Sequence, residues 1–122
     1  MAANYRIKIV QGETYKQQFT YKDDQVTPQP IDITGYTGVG TVRKTTADPR
    51  AYPIDITFNI PQTDGVFYLN MPHEVAANIP VAATDPTKYD IYVYDVFLID
   101  SAGNRSKILY GEAWVYPSAT KG

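Results

Sequence analysis

The sequence predicts an all-β chain, an antiparallel β-sandwich of about seven strands. Three observations point there. Residues Tyr89 to Tyr116 hold two long β-branched and aromatic runs separated by Ser-Ala-Gly-Asn-Arg, the pattern of a β-hairpin with a short loop. Elsewhere apolar residues recur with period two, most cleanly at Ile54, Ile56, Phe58 and Ile60. Gly, Pro and Asp-Gly signals punctuate these runs at intervals suited to short strands.

In order, Tyr5 to Val10 reads as a half-buried strand, with Ile7 and Ile9 opposite Arg6 and Lys8. Gln11-Gly12-Glu13 turns the chain into a second strand, Tyr15 to Tyr21, expected to lie near the first. Lys22 to Pro30 carries two prolines and Asp23-Asp24 and reads as a surface loop. Thr37 to Arg43 is a strand whose Gly38 and Gly40 leave room for large neighbours, with aromatics expected to fill it. Thr45 to Pro53 reads as a loop, because of Asp48-Pro49 and Tyr52-Pro53. Ile54 to Ile60 and the strand carrying Phe67, Leu69 and Met71 form a hairpin across Pro61 to Gly65, whose glycine supplies a positive φ. His73 to Ile79, after Pro72, is the one helix, expected to plug an end of the sandwich. Pro117 to Gly122 is a short tail. This arrangement suits a sandwich of immunoglobulin-like type, without the disulfide of antibody domains.

A chain of 122 residues is expected to form one domain, residues 1 to 122, burying somewhat under about 70% of its unfolded surface. Eleven basic against 13 acidic residues, net charge -2, give no field for nucleic acid or an anionic membrane. No run nears the roughly 18 apolar residues of a membrane span, and MAANYRIKIV lacks a secretory pattern, so a soluble protein made in the cytoplasm is expected. With no cysteine there is no disulfide, thiolate metal site or cysteine nucleophile.

Chemistry finds little footing. His73 and Glu74 are sequence neighbours, which do not face each other along a helix, so an exposed histidine is expected rather than an acid–base pair. Asp90, Asp95 and Asp100 punctuate one strand, but Asp95 falls on the opposite face from the other two and no spaced Asp-x-Asp-x-Asp-Gly loop exists. Asp100 reads as the start of the Ser101 to Arg105 turn. The glycines at 35, 38 and 40 precede no helix, and G-x-S-x-G is absent. No enzyme, cofactor or metal is expected.

The hairpin is apolar on both faces. Tyr92, Tyr94, Val96 and Leu98, with Leu109, Gly111, Ala113 and Val115, suit a sandwich interior. The opposite face carries Ile91, Val93, Phe97 and Ile99, with Ile108, Tyr110, Trp114 and Tyr116. Large aromatics mixed with scattered charge fit a protein contact. The expected interface is Asp95, Phe97, Ile99, Tyr110, Glu112, Trp114 and Tyr116, with the two carboxylates as polar orienters. Two other accounts compete. One buries this face under a folded-over loop. The other makes the aromatics a stacking platform for sugars, with Asp95, Glu112 and Asn104 as polar contacts.

Ile-Val-Gln-Gly-Glu-Thr (9 to 14), Phe-Thr-Tyr (19 to 21), Pro-Ile-Asp-Ile-Thr-Gly-Tyr (30 to 36), Asp-Gly before a strand and short helix (64 to 79), Tyr-Val-Tyr-Asp-Val (92 to 96) and Leu-Tyr-Gly-Glu (109 to 112) follow one another. In this order the chain resembles small immunoglobulin-like structural proteins of tailed bacteriophages, and is similar to the N-terminal domain of phage baseplate upper proteins. It departs from that pattern in carrying Phe97 and Ile99 where polar residues are usual. The resemblance implies a virion component assembled in the host cytoplasm: a capsid decoration, a neck or collar piece, or the docking domain of a tail or head fibre. Its partners would be other virion proteins, met in symmetric copies, and no catalytic residue is carried over.

Overall fold

Residues 3–22 and 29–118 are described in a computed structural model. Its elements are β1 (Ala3–Asn4), β2 (Ile7–Val10), β3 (Tyr15–Thr20), β4 (Thr37–Arg43), β5 (Tyr52–Phe58), β6 (Val66–Met71), α1 (His73–Ala77), β7 (Asp90–Ile99) and β8 (Arg105–Tyr116). Most of the expected loop at 22–30, with Asp23-Asp24, and the tail end at 119–122 lie outside the described residues. The described chain is β-rich, with one short helix and a 3₁₀ turn at Gln62–Asp64.

Strand order is β1-β8-β7-β4-β5-β6-β3, with β2 also on β8. The sheet is curled and mixed rather than antiparallel throughout, because β1 and β2 run parallel to β8. Alternation in a sequence reports which face a side chain takes and says nothing of strand direction. The curl is carried by β5. Tyr52 to Ile54 pair with β4, whereas Asp55 to Phe58 pair with β6. Tyr52-Pro53 is thus strand and not loop. At Pro53 only β4 lies alongside, an edge setting where proline is tolerated. Ile60 falls beyond β5 and is 89% exposed. Sequence order also misleads about β3, which pairs with β6 from Tyr15↔Met71 to Thr20↔Val66 and not with β2.

The core is built from Ile7 and Ile9 of β2, Phe67, Leu69 and Met71 of β6, the inner row of β7 from Tyr92 to Leu98, and Leu109, Ala113 and Val115 of β8. Gly38 and Gly40 do make room, though for aliphatic side chains of β5 rather than aromatics. A Cβ on Gly38 would lie 2.6 Å from Ile56 Cγ2, and one on Gly40 would lie 3.0 Å from Ile54 Cβ. At Gly65 φ is +70°, as the Asp-Gly turn requires. The helix ends at Ala77 rather than at Ile79, and it packs on β2 and β5. Just past it, the buried Gln11 donates from Nε2 to Ile79 O at 2.7 Å, tying the helix exit to the β2–β3 turn.

Three tyrosines anchor this core differently. The Tyr92 hydroxyl donates to Pro80 O, and the Tyr94 hydroxyl donates to Tyr5 O. The Tyr15 hydroxyl is buried with no hydrogen-bond partner among the described residues. Burial pushes the Tyr15 and Tyr94 hydroxyls well above the ordinary phenol range, so both stay neutral. Removing a hydroxyl that satisfies a backbone carbonyl costs about 1 kcal/mol, whereas removing an orphan costs nothing. Urea unfolding is therefore expected to show a loss of that size for Tyr92→Phe and Tyr94→Phe, and no loss or a gain for Tyr15→Phe. Gly38→Ala is expected to cost about 1–3 kcal/mol through overpacking, part of it recovered when Ile56→Ala is combined with it.

Candidate interaction face

The outward side of the sheet is assembled from four strands. Register places Val39, Phe97 and Lys107 side by side, then Thr41, Asp95 and Tyr110, then Arg43, Val93 and Glu112. Ile91 and Trp114 come next, with Lys8 of β2 beyond. None of the seven residues expected at the interface is fully buried, and Tyr110 and Glu112 are exposed. The account in which a folded-over loop makes this row a second core does not hold for them. Of the five most exposed large hydrophobics among the described residues, Ile91 (47%), Tyr110 (41%) and Val39 (40%) lie here.

One residue of the outer row changes sides. Between Val96 and Phe97 the β7–β8 register shifts, so Val96 faces Leu109 but Phe97 faces Lys107. The extra residue is Ile108, which a strict alternation puts on the outer face and which is in fact 6% exposed in the core. The bulge turns Lys107 outward instead. There its ammonium stands 3.6 Å from Asp95 Oδ2 and 5.6 Å from the Phe97 ring centre, with Arg105 at 4.9 Å from the same ring.

At the other end Trp114 is already in company. Tyr89 stacks on it at 3.9 Å and 9°, and the Arg6 guanidinium lies over its ring at 3.8 Å. Arg6 arrives from the β2 side of β8 and Tyr89 from the β7 side, so the indole is sandwiched. Its Nε1–H donates to Glu112 Oε1 at 2.9 Å, and Tyr116 leans on Tyr89 at 5.3 Å. Sequence reasoning missed Arg6 and Tyr89, because a ring stack across three strands leaves no trace in local spacing. Between the two ends a shallow depression of about 290 Å³ is lined by Thr41, Arg43, Val93, Asp95, Lys107 and Tyr110. Arg43 is held at its rim by donating from Nη1 to Asp48 O at 2.7 Å. Arg6, Lys8, Arg43, Arg105 and Lys107 outnumber Asp95 and Glu112, so the face is basic on a chain of net charge -2.

The remaining chemistry resolves into separate pieces. Asp100 begins the Ser101 to Arg105 turn as expected, its Oδ1 accepting from Ala102 N at 3.0 Å and Asn104 N at 2.9 Å. Asn104 is thereby spent on the hairpin turn, away from Glu112 and Asp95. Asp90 holds the connection before β7, accepting from Ala82 N at 2.8 Å and Ala83 N at 3.3 Å, with Lys44 at 3.7 Å. His73 and Glu74 do meet, Nε2 to Oε1 at 2.6 Å, contrary to the expectation for helix neighbours. They sit in the first turn of a five-residue helix, where both side chains are exposed.

No protein-family model matches this sequence, and no curated protein matches it.

The Ala82 N–H, chief among its neighbours, holds the Asp90 carboxyl below the usual carboxylate range. A group depressed in the folded state adds stability that is full above its unfolded pKa, about 3.9, and is lost as pH falls through the folded value. Asp90→Asn is expected to remove that part of the acid destabilisation and to speed hydrogen exchange at the Ala82 and Ala83 amides.

Proposed function

We propose that this protein is a non-enzymatic, immunoglobulin-like β-sandwich of a tailed-phage particle, which docks on other virion subunits through the outward face of β4, β7 and β8. The observation that carries this reading is the exposed row Val39, Ile91 and Tyr110, set among Phe97, Ile99 and Trp114. A sheet face this apolar, rimmed by charge, is what a protein contact buries. Its excess of cations calls for an acidic rim on the partner subunit and an association that slows as salt rises.

Three features support the sandwich. Strands β2, β8, β7 and β4 follow one another in one layer and β3, β6 and the second half of β5 in the other, as in the immunoglobulin type. The first strand runs parallel to the last. Tyr92, early in β7, returns its hydroxyl to Pro80 in the preceding connection, as a tyrosine corner does. The assignment to a phage particle rests on the resemblance of the motif order to phage structural proteins.

A sugar platform is the weaker reading. Stacking on a sugar needs an open ring face, but Trp114 is covered by Tyr89 and Arg6, and Phe97 by two cations. Tyr110 alone of these aromatics stands open beside the depression.

A tagged copy produced in an infected host is expected to band with particles on a density gradient, and Ile91→Asp with Tyr110→Asp is expected to remove it from the band while leaving its melting temperature within a few degrees. A wild-type chain absent from the particles contradicts the assignment. Binding to a glycan array that Tyr110→Ala abolishes would favour the sugar reading instead. Trp114→Ala, at a residue held by its own chain, is expected to weaken docking by about 2 kcal/mol while the domain stays folded.

A further inference from the structure

We propose that the free edge of β3 pairs antiparallel with the same edge of a second copy of this chain, across a twofold axis at Gln18. This surface lies in the other half of the curled sheet from the face discussed above, and the inference does not rest on it.

Two hydrogen bonds set the direction of the backbone groups. Tyr21 N donates to Gly65 O at 2.8 Å, which continues the β3–β6 register and makes Phe19↔Phe67, Gln17↔Leu69 and Tyr15↔Met71 the hydrogen-bonded pairs. Asn59 N donates to Val66 O at 3.1 Å, so Val66, Tyr68 and Asn70 turn theirs toward β5, in agreement. Lys16, Gln18 and Thr20 therefore direct their N–H and C=O groups away from β6. Among the described residues no strand pairs with that edge. In an immunoglobulin-type sandwich a first strand lies beside this one, but here Ala3 to Val10 are taken by β8 instead.

An edge of this kind is a template for another strand, and natural sheets block it with proline, a bulge or an edge charge. This one has neither proline nor a bulge along its six residues. Its single charge, Lys16, is drawn back over the Tyr68 ring of β6 at 5.0 Å. The edge is also self-complementary. With the axis at Gln18, Lys16 meets Thr20 of the second copy, Gln18 meets Gln18, and all three outward residues face outward residues, for about six N–H···O=C bonds. No like charges are brought opposite one another. On the inward side Phe19 of the second copy lies opposite Gln17, beside a groove of about 530 Å³ lined by Phe67, Ile108 and Leu109 and walled on its far side by Ala3, Asn4 and Tyr5, whose ring meets Phe19 edge-on at 5.2 Å. A contact this narrow gives a weak dimer, formed between micromolar and millimolar concentration.

The test is sedimentation equilibrium of the full chain across that range, with two variants. Gln18→Pro removes an N–H that the β6 ladder does not use and puts a ring on the free edge, so the fold tolerates it and the edge does not. Gln18→Glu puts two carboxylates directly opposite each other at the axis. The native chain is expected to shift to dimer as concentration rises. Gln18→Pro is expected to stay monomeric with an unchanged melting temperature, and Gln18→Glu to be monomeric at pH 7 and dimeric near pH 3. If Gln18→Pro fails to fold, the pH dependence of Gln18→Glu decides alone. A native chain that stays monomeric at millimolar concentration overturns the proposal, as does a dimer that both variants keep at pH 7.

Discussion

The structure turns on where the first ten residues go, and one small contact decides it. Gly111 has no side chain, so the backbone of Tyr5 crosses β8 at a distance no Cβ would permit: one built there would lie 2.6 Å from Tyr5 O. Tyr5 N then donates to Tyr110 O at 3.0 Å, and the Tyr94 hydroxyl reaches through the core to Tyr5 O. Both polar groups of one peptide neighbourhood are satisfied by the β7–β8 hairpin, and the segment is committed to running parallel with β8. In consequence β1 and β2 complete the sheet edge at β8, and the edge at β3 is left without a neighbour among the described residues.

The same hairpin separates two kinds of surface by parity. Its inner row is sealed by Ile7 and Ile9 of β2 and by β6, while its outer row has only what its own polar and aromatic residues can arrange. That arrangement is uneven. Around Trp114 and Phe97 the chain supplies its own cations and a stacking tyrosine, which lowers the cost of leaving large rings near water. Val39 beside Phe97, Ile91 beside Trp114 and Tyr110 between the two ends are left exposed. The bulge at Ile108 matters to both surfaces, since it sends an isoleucine to the core and a lysine to Asp95 within two residues.

The legible part of this molecule is the part written in local alternation. Both faces of β7, the inner set of β8, the turn at Gly65 and the helix start after Pro72 follow from period, turn chemistry and proline alone. Partner choice is not local. Nothing between Tyr5 and Val10 says that β8, a hundred residues on, is nearer than β3, and no propensity marks Pro53 as strand. The outer-face residues fall where alternation puts them for the same reason that Ile108 does not: parity holds until a bulge resets it. Arg6 and Tyr89 become visible only once two strands lie either side of Trp114.

Amide hydrogen exchange along β3, in dilute monomer, reports whether that edge is open. With the N-terminal segment held on β8 and the β3 edge open, Tyr15, Gln17 and Phe19 are expected to exchange slowly and Lys16, Gln18 and Thr20 fast, an alternation with period two. Equal protection at all six would mean that another strand of the same chain lies on that edge, and would contradict this topology.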